Sequence, residues 1–414
     1  MSIAGLRGGG QWAPVRVALQ LPDPARSPDN PTMDIVATAR ALAPSIRARS
    51  EEIERARKLP ADLAATLART GLFRTLLPRR LGGLECAPLD ALASVEAIGE
   101  ADASVGWCTM IGATAGMSAA WLDPGVAASI HTDPEVVTGG VFAPVGRAVA
   151  DGDAYRVDGR WPWFSGHAHC AWLSGGCVVI EDGAPRMLPD GTPDARMVFF
   201  PAAAATPLDG WHVAGLCGTG SGEVEVRGLR VPRERSVSLI VDAPREDGPL
   251  YRMPPFGLLA QGIAAVMLGN ARAAIDDLVA LATAKRPQGG RRTLAERSGA
   301  QVELARAEAS LRSARAYCIE AVGAAWSRAC GGDPPDLRER AALRLSATAA
   351  TRTAADVARA MYDLGGGSAV FESSPLQRRF RDAHVGTQHV MVAPPTLELA
   401  GRVLMGVPTD ATLL

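Results

Sequence analysis

The chain has 414 residues, enough for two or three domains or for one large layered fold. Its apolar fraction of 47% and charged fraction of 21% are ordinary for a globular protein, and its formal net charge is -1. These values exclude the strong basic bias that is typical of proteins binding nucleic acid or anionic membranes. We therefore expect a small-molecule function without a nucleic-acid or membrane partner.

The seven cysteines are widely spaced and include no C-x-x-C pair. This pattern argues against a disulfide framework and against a zinc site, and it favours the reducing cytoplasm. Residues 1–32 lack an apolar core run before a cleavage site, so they predict a disordered leader rather than a signal peptide. Met33 is an alternative start, and no apolar run is expected to approach the length of a membrane span.

Residues 33–137 predict an N-terminal helical domain. Apolar residues recur at spacings of three and four over 34–60, which predicts one helix, and a second helix follows it. Residues 87–122 predict two more helices, and Asp102 or Ser104 is suited to cap the last of them. That last helix is almost wholly apolar or small, so we expect it to be buried.

Residues 138–240 predict a middle β-domain, because helical periodicity stops there and Gly and Pro punctuate short β-branched runs. Residues 241–414 return to helical patterning, with three segments longer than twenty-five residues that begin at 256, 294 and 337. Long Ala-rich helices with one apolar stripe favour a helical bundle and a second subunit that covers it. The order of these parts predicts an α+β fold class.

Three segments carry residues suited to chemistry. Residues 159–172 hold three Trp, one Phe and two His, and Trp-Phe-Ser-Gly at 163–166 places a flat apolar wall beside a hydroxyl. That arrangement suits a planar cofactor, although a hydrophobic hairpin edge is the alternative. Residues 215–226 are rich in glycine but precede a strand, which argues against a dinucleotide site. Residues 363–384 combine three glycines with an Arg-rich turn, which suits a phosphate or simply ends a helix.

In combination these segments resemble the acyl-CoA dehydrogenase superfamily over nearly the whole chain after residue 33. The 163–166 segment lies where that family has its Trp-x-(Thr/Ser) flavin loop, and the 363–384 segment resembles its Gly-Gly-x-Gly stretch and following Arg-Asp pair. The resemblance implies an N-terminal helical domain, a middle β-barrel or sandwich domain and a C-terminal four-helix bundle. It also implies a flavin cleft, usually within a tetramer.

The catalytic carboxylate of the fatty-acyl members is missing from this chain. Nine residues after Arg381, where those members have Glu, stands Val390, and the alternative position for the base holds Gln261. His389 follows Arg381 by eight residues, as a His does in the flavin-dependent two-component monooxygenases that share the fold. Further similarity to that subgroup lies at residues 104–107, 140–148 and 218–221.

The resemblance therefore implies the oxygenase component of a two-component monooxygenase. In that group a separate NAD(P)H flavin reductase supplies reduced FAD or FMN, and O2 adds to give a C4a-hydroperoxyflavin. The expected reaction is hydroxylation of an aromatic or polycyclic small molecule, with N- or S-oxygenation as variants. Two alternatives stay open: a dehydrogenase-like FAD oxidoreductase with an unusual base, and a catalytically inactive flavin-fold binding subunit. A cytoplasmic homotetramer or homodimer is expected.

The resemblance also implies roles for individual residues. His389 is expected to hold a proton beside the flavin, and Ser165 to hydrogen-bond the flavin N5 or O4 edge. On a helix, His384 would lie roughly 140° away from His389 and off its face. The expected flavin-binding residues are Phe142, Ala143, Gly146, Trp163, Phe164, Ser165, Arg286, Arg291, Gly365, Gly366 and Gly367. The expected substrate-lining residues are Trp107, Met110, Trp121, His167, His169 and Gln261. No metal site is expected.

Overall fold

The computed structural model describes residues 34–286 and 288–414. The predicted leader over residues 1–32 and the alternative start at Met33 lie outside these ranges. All seven cysteines lie inside them and are free thiols.

Six helices precede the sheet in the described part of the chain. They are α1 (Ile35–Arg47), α2 (Ser50–Ala56), α3 (Ala61–Arg69), α4 (Pro88–Ala101), α5 (Ala103–Met117) and α6 (Pro124–Ile130). The prediction of one helix over 34–60 is wrong, because a turn at residues 48–49 separates α1 from α2. The Ala48 N–H still bonds to the Pro44 carbonyl oxygen at 3.1 Å, whereas the Arg49 N–H bonds to Ile46, only three residues back, so the chain tightens and leaves the α-helix here.

The N-cap prediction for α5 is confirmed at Asp102. Its carboxylate accepts hydrogen bonds from the backbone N–H groups of Ser104 at 2.9 Å and Val105 at 3.1 Å. The cap satisfies donors that the first helical turn cannot pair internally. As expected from its composition, α5 is buried along most of its length.

One mixed sheet follows, and in the described residues it has eight strands. They are β1 (Thr138–Asp151), β2 (Ala154–Trp161), β3 (Trp172–Glu181), β4 (Ala184–Pro185), β5 (Ala195–Pro201), β6 (Thr206–Leu208), β7 (Glu223–Pro232) and β8 (Ser236–Val237). Their order in the sheet is β6-β7-β2-β1-β3-β5-β8, and β4 pairs with β3. β1 runs parallel to β3, whereas every other pair is antiparallel.

Five described helices complete the chain and include the three long helices that were predicted. They are α7 (Pro255–Ala284), α8 (Ser298–Cys330), α9 (Leu337–Gly365), α10 (Pro375–Gly386) and α11 (Pro395–Leu404). His384 lies in α10, and His389 lies in the turn that follows it.

The expectation that no run reaches the length of a membrane span is wrong for α7. By length and composition α7 could cross a membrane, but 89% of its apolar window is buried inside the protein. Glycine allows α4 to approach it closely, since a Cβ on Gly269 of α7 would lie 2.2 Å from the Glu96 carbonyl oxygen. α7 is thus the core helix of the bundle, and α4 and α5 pack directly on it.

Candidate functional site

A bulge in β1 interrupts the sheet at one end. Residues 142–145 of β1 lie opposite the single residue Gly176 of β3. A Cβ on Gly176 would lie 2.1 Å from the Phe142 carbonyl oxygen, so only glycine fits beneath the bulge. Bulges re-aim side chains and free backbone groups from the sheet, and they are common beside active sites.

The loop after β2 lies at the same end of the sheet, because β1 and β2 are antiparallel. Trp163 in this loop has a φ of 58°, an unfavourable value for a bulky residue, and it is 71% exposed. Ser165, two residues later, is 7% exposed. An exposed indole near a buried hydroxyl offers a flat apolar surface with a polar edge, which fits a planar cofactor such as flavin.

Ser165 belongs to a chain of hydrogen bonds whose direction can be deduced. Thr219 Oγ1 donates to the Leu216 carbonyl oxygen at 2.8 Å, so its 2.6 Å bond with Ser221 must be donated by Ser221. The 2.7 Å bond between Ser221 and Ser165 must then be donated by Ser165. Since the Trp107 indole N–H also donates to Ser165 at 3.1 Å, Ser165 Oγ has only an acceptor position left for a ligand.

The two residues predicted to be catalytic meet at Trp107. The Trp107 indole donates to Ser165, and its ring lies edge-on to the His389 imidazole with a centroid distance of 5.6 Å and an interplanar angle of 63°. The structure therefore brings together a residue of α5, the loop after β2 and the turn after α10. Trp107 was predicted as a substrate-lining residue, and its link to Ser165 was not foreseen.

His389 is held as a neutral imidazole with a defined tautomer. The backbone N–H of Met391 donates to its Nδ1 at 3.2 Å, which leaves the proton of the neutral ring on Nε2. Burial, and then the positive charge of Arg344, lower the pKa of His389 to about 4. At neutral pH His389 is thus an uncharged donor through Nε2.

Arg344 supplies that positive charge from inside the protein, where it is 2% exposed. Its Nη1 donates to the Leu413 carbonyl oxygen at 2.6 Å and contacts Met391 Sδ at 2.9 Å. Burial lowers the pKa of Arg344 to about 10, so the guanidinium stays charged at neutral pH. A buried cation near an imidazole disfavours a second positive charge there.

Asp382 on α10 fixes the loop that carries the hydroxyl chain. Its Oδ1 accepts a hydrogen bond from the backbone N–H of Leu216 at 2.6 Å. Burial, and then the negative charge of Asp102, raise the pKa of Asp382 to about 7. The position of Thr219 and Ser221 thus depends on a buried carboxyl group of the C-terminal bundle.

A cavity of about 20 Å³, room for one water molecule, lies between α4, α5 and α7. Met110, predicted to line the substrate site, is part of its wall, as is Thr114. Trp107, Met110 and Thr114 share one face of α5, because their spacings are three and four residues. The cavity wall therefore lies on the face of α5 that also carries Trp107, and Trp107 is not among the residues that line it.

Two residues predicted to bind flavin have packing roles in the sheet. Phe164 is fully buried among the apolar side chains of the sheet core, so its ring does not form a wall of the cleft. A Cβ on Gly146 would lie 2.5 Å from Trp161 Cζ2, so packing against Trp161 explains the glycine without any need for a cofactor contact. Ala143 is exposed in the β1 bulge, and Phe142 packs edge-on against Phe256.

The remaining predicted flavin residues lie at the far end of the bundle. Arg286 and Arg291 are exposed on the loop after α7, and the three glycines at 365–367 end α9. Lys285 joins these segments, because its Nζ donates to the Gly365 carbonyl oxygen. The structure thus brings the predicted arginine and glycine segments together, apart from the Trp107 cluster.

Two predicted substrate residues are engaged in packing. The Trp121 Nε1 donates to the Asp242 carbonyl oxygen at 3.0 Å and belongs to a separate apolar cluster. The Gln261 Nε2 donates to the Leu343 carbonyl oxygen at 2.8 Å and to Ser346 Oγ at 2.7 Å, which ties α7 to α9. Neither side chain joins the Trp107 cluster.

His167 and His169 lie in the short helical turn after the Trp-Phe-Ser-Gly loop. The ring of His169 stacks on Phe73 with a centroid distance of 5.3 Å, and burial lowers its pKa to about 4. His167 is half-buried, and burial also lowers its pKa. The Phe73 contact holds His169 against the segment between α3 and α4.

No role was predicted from the sequence for Thr219, Ser221, Arg344 or Asp382. Residues 218–221, which include Thr219 and Ser221, were noted as similar to the monooxygenase subgroup, but no role followed for either hydroxyl. Two hydroxyls spaced by two residues before a strand were the available indication. The sequence carried no indication that Arg344 is buried, because an arginine inside a long helix usually lies on a solvated face.

Two family models match the chain. The acyl-CoA dehydrogenase N-terminal domain matches residues 33–123, and the acyl-CoA dehydrogenase C-terminal domain matches residues 261–394.

Named relatives cover nearly the whole chain. An indole-3-acetate monooxygenase of Pseudomonas putida is 35% identical over 361 residues, 87% of this chain and 90% of the relative. The oxygenase subunit HsaA of a flavin-dependent monooxygenase from Rhodococcus jostii is 29% identical over 370 residues, 86% of this chain and 93% of the relative. The crystal structure of 3-HSA hydroxylase from Rhodococcus sp. RHA1 has a TM-score of 0.84 and 28% identity, and the match covers 93% of this chain and 100% of that one.

Proposed function

Because the chain belongs to the flavin-dependent monooxygenases built on the acyl-CoA dehydrogenase fold, we propose that it is the oxygenase component of a two-component system. It uses reduced FAD or FMN and O2 to hydroxylate a small aromatic molecule. The observation that carries the site assignment is that Trp107 joins an acceptor hydroxyl, Ser165, to a neutral imidazole, His389.

The residues present fit a reduced flavin. Bound reduced flavin supplies the activation of O2, and the exposed indole of Trp163 offers an apolar surface for its ring system. Ser165 Oγ can only accept a hydrogen bond from a ligand, as its own proton is donated to Ser221. A reduced flavin carries an N–H at N5 and an oxidised flavin does not. The acceptor therefore favours the reduced form.

His389 holds a proton at the reacting centre. Its Nε2–H is a hydrogen-bond donor, and its low pKa keeps it from taking up a second proton at neutral pH. Burial around Trp107 excludes water, which protects a reactive oxygen species from hydrolysis and proton leakage. In this proposal His389 donates to the oxygen that is transferred to the substrate, and the Trp107 ring fixes the orientation of the imidazole.

The dehydrogenase alternative lacks its base. At the two positions where fatty-acyl members place a carboxylate, this chain has Val390, which is 68% exposed, and Gln261, whose amide is bonded to α9. Proton abstraction next to a thioester needs a base in contact with the substrate. The inactive-subunit alternative gives no reason for an acceptor hydroxyl and a neutral imidazole on one indole.

The partners follow from this reaction. We propose that a separate NAD(P)H flavin reductase supplies the reduced flavin and that the pair works in the cytoplasm. We also propose a homodimer or homotetramer, since Val370 and Phe371 are 61% and 64% exposed beside the glycines at 365–367. Light scattering of the purified chain tests this assembly, and a monomer at micromolar concentration would contradict it.

The test of function is anaerobic mixing of the full chain with reduced FAD or FMN, followed by rapid exposure to O2 while absorbance is recorded. We expect a transient spectrum that differs from both reduced and oxidised flavin and outlives the reoxidation of free flavin. His389→Ala and Ser165→Ala are expected to shorten that lifetime at least tenfold. His384→Ala is the matched control, because His384 lies on α10 with its ring against Phe380.

The result that would contradict the proposal is immediate conversion to oxidised flavin with release of peroxide, both without substrate and with a range of aromatic compounds. Equal lifetimes in the wild type and the His389→Ala variant would remove His389 from its assigned role while leaving the oxygenase function intact.

A further inference from the structure

Two arginine side chains of α9 hold the segment that follows α11. Arg340 Nε and Nη2 donate to the main-chain oxygen of Leu414 at 3.2 and 3.1 Å. Arg344 Nη1 donates to the Leu413 carbonyl oxygen at 2.6 Å. Because the two arginines are four residues apart, they lie on one face of the helix and hold one stretch of backbone. Residues 405–414 are called the tail segment below.

One buried leucine anchors the tail segment to the bundle. Leu414 is 1% exposed and packs with Ala341 of α9 and Val403 of α11 in a small apolar cluster that is separate from the main core. By contrast, residues 404–408 are exposed. The tail segment is thus attached through its last residues, by two arginines and one apolar side chain.

Arg344 connects the tail segment to His389. The Nη1 that donates to Leu413 also contacts Met391 Sδ at 2.9 Å. The backbone N–H of Met391 donates in turn to His389 Nδ1 at 3.2 Å. A continuous series of contacts therefore runs from the tail segment to the imidazole.

The position of the Arg344 charge depends on uncharged partners. Burial lowers the pKa of Arg344, and no carboxylate among the described residues offsets that shift. The guanidinium is instead held by the Leu413 oxygen and the Met391 sulfur. Arg344 is also the charged group that lowers the pKa of His389, and the Trp107 ring beside the imidazole does not titrate. A guanidinium that loses the Leu413 oxygen is free to turn toward water, where its charge is screened.

We propose that the tail segment positions His389 by holding the Arg344 guanidinium against Met391. With Met391 fixed, its backbone N–H occupies Nδ1, and the proton of the neutral ring stays on Nε2. This inference rests on the proposed oxygenase function for the use of that proton. Arg340 and Leu414 are positioning residues, since they act on the imidazole through Arg344.

NMR of the full chain with isotope-labelled histidine rings tests the proposal, because the ring nitrogen shifts report both the pKa and the tautomer. Arg340→Gln removes donors to the tail segment, and Leu414→Ser removes its anchor without changing a charge. We expect each variant to raise the pKa of His389 from about 4 to roughly 5, since a solvated guanidinium repels the imidazolium less. The fraction of the Nε2–H tautomer should fall in both.

Two further variants separate the tail contact from the charge of an arginine. Arg338→Gln is the matched control, because it removes the same charge from an exposed position on α9 and should leave His389 unchanged. Arg340→Lys keeps a donor at the tail segment, so the pKa of His389 should lie closer to the wild-type value than in Arg340→Gln. An unchanged His389 in both Arg340→Gln and Leu414→Ser, even with a lower melting temperature, would overturn the proposal. An equal shift in Arg338→Gln would do the same.

The reduced-flavin experiment distinguishes this inference from the proposed function. The lifetime of the transient spectrum should begin to shorten at a higher pH in Arg340→Gln than in the wild type, by the same interval as the pKa of His389. If that pKa shifts as expected but the wild type forms no transient spectrum, the tail segment positions the imidazole and the oxygenase function is what has been refuted. A transient spectrum with an unchanged His389 refutes the role of the tail segment and leaves the oxygenase function intact.

Discussion

Replacing Ser165 with alanine removes the acceptor of the Trp107 indole N–H. Trp107 is 6% exposed, so the N–H cannot turn to solvent. An unpaired buried donor costs about 1–3 kcal/mol, whereas Ser221 keeps its bond with Thr219. We therefore expect Ser165→Ala to lower the free energy of unfolding by about 1–3 kcal/mol, although it removes only one oxygen atom.

The partner substitution isolates this contact. Trp107→Phe removes the donor, so in the Ser165→Ala background no N–H is left unpaired and the double variant should lose less than the sum of the single losses. We expect an interaction of about 1 kcal/mol in this cycle. Urea unfolding of the four proteins, followed by circular dichroism, measures it. Losses that add within about 0.5 kcal/mol, or a loss below about 0.5 kcal/mol for Ser165→Ala alone, would refute the reasoning.

Three further predictions concern buried groups of the same region. Asp382 has a pKa of about 7 in the folded protein against an ordinary value of 3.8. Between these values the folded protein keeps a proton that the unfolded chain releases. The free energy of unfolding therefore falls as pH rises from about 4 to about 7. The decline is on the order of 4 kcal/mol, and unfolding curves of Asp382→Asn should lack it; parallel pH profiles would contradict this. Arg344→Gln should raise the pKa of His389 but leave it below 6.5, because burial is the larger cause; NMR titration of the ring measures this, and an unchanged pKa would exclude the coupling. Gly146→Ala should destabilise the sheet by about 1–3 kcal/mol, since its Cβ would lie 2.5 Å from Trp161; unchanged stability with weaker flavin binding would restore the predicted cofactor role of Gly146.

Features set by neighbouring residues were predictable from the sequence. The Asp102 cap depends on donors two and three positions away, and the long helices show their periodicity directly. The bond between Trp107 and Ser165 joins residues 58 positions apart, so no local pattern indicates it. The family resemblance selected His389 and Ser165 separately, and only the fold shows that they share one indole.

Adjacency in sequence was a poor guide within the loop after β2. Trp163 and Phe164 were both expected to form the wall beside the flavin ring, with the Ser165 hydroxyl at its edge, but neighbouring side chains of an extended segment point in different directions. Trp163 faces solvent, whereas Phe164 enters the sheet core. Arg344 was missed for another reason: its burial as a cation depends on its surroundings, which the identity of a residue does not reveal.

The burial of α7 has a consequence for the synthesis of the chain. The helices α4 and α5, which pack on α7, leave the ribosome before it. The helix α9, which also packs along α7, ends at residue 365, 81 residues after α7 ends at residue 284. At roughly 5–20 residues per second this takes about 4–16 seconds. During that interval an apolar helix of membrane-spanning length stays partly uncovered on the nascent chain, and its protection then depends on chaperones and on the speed of translation.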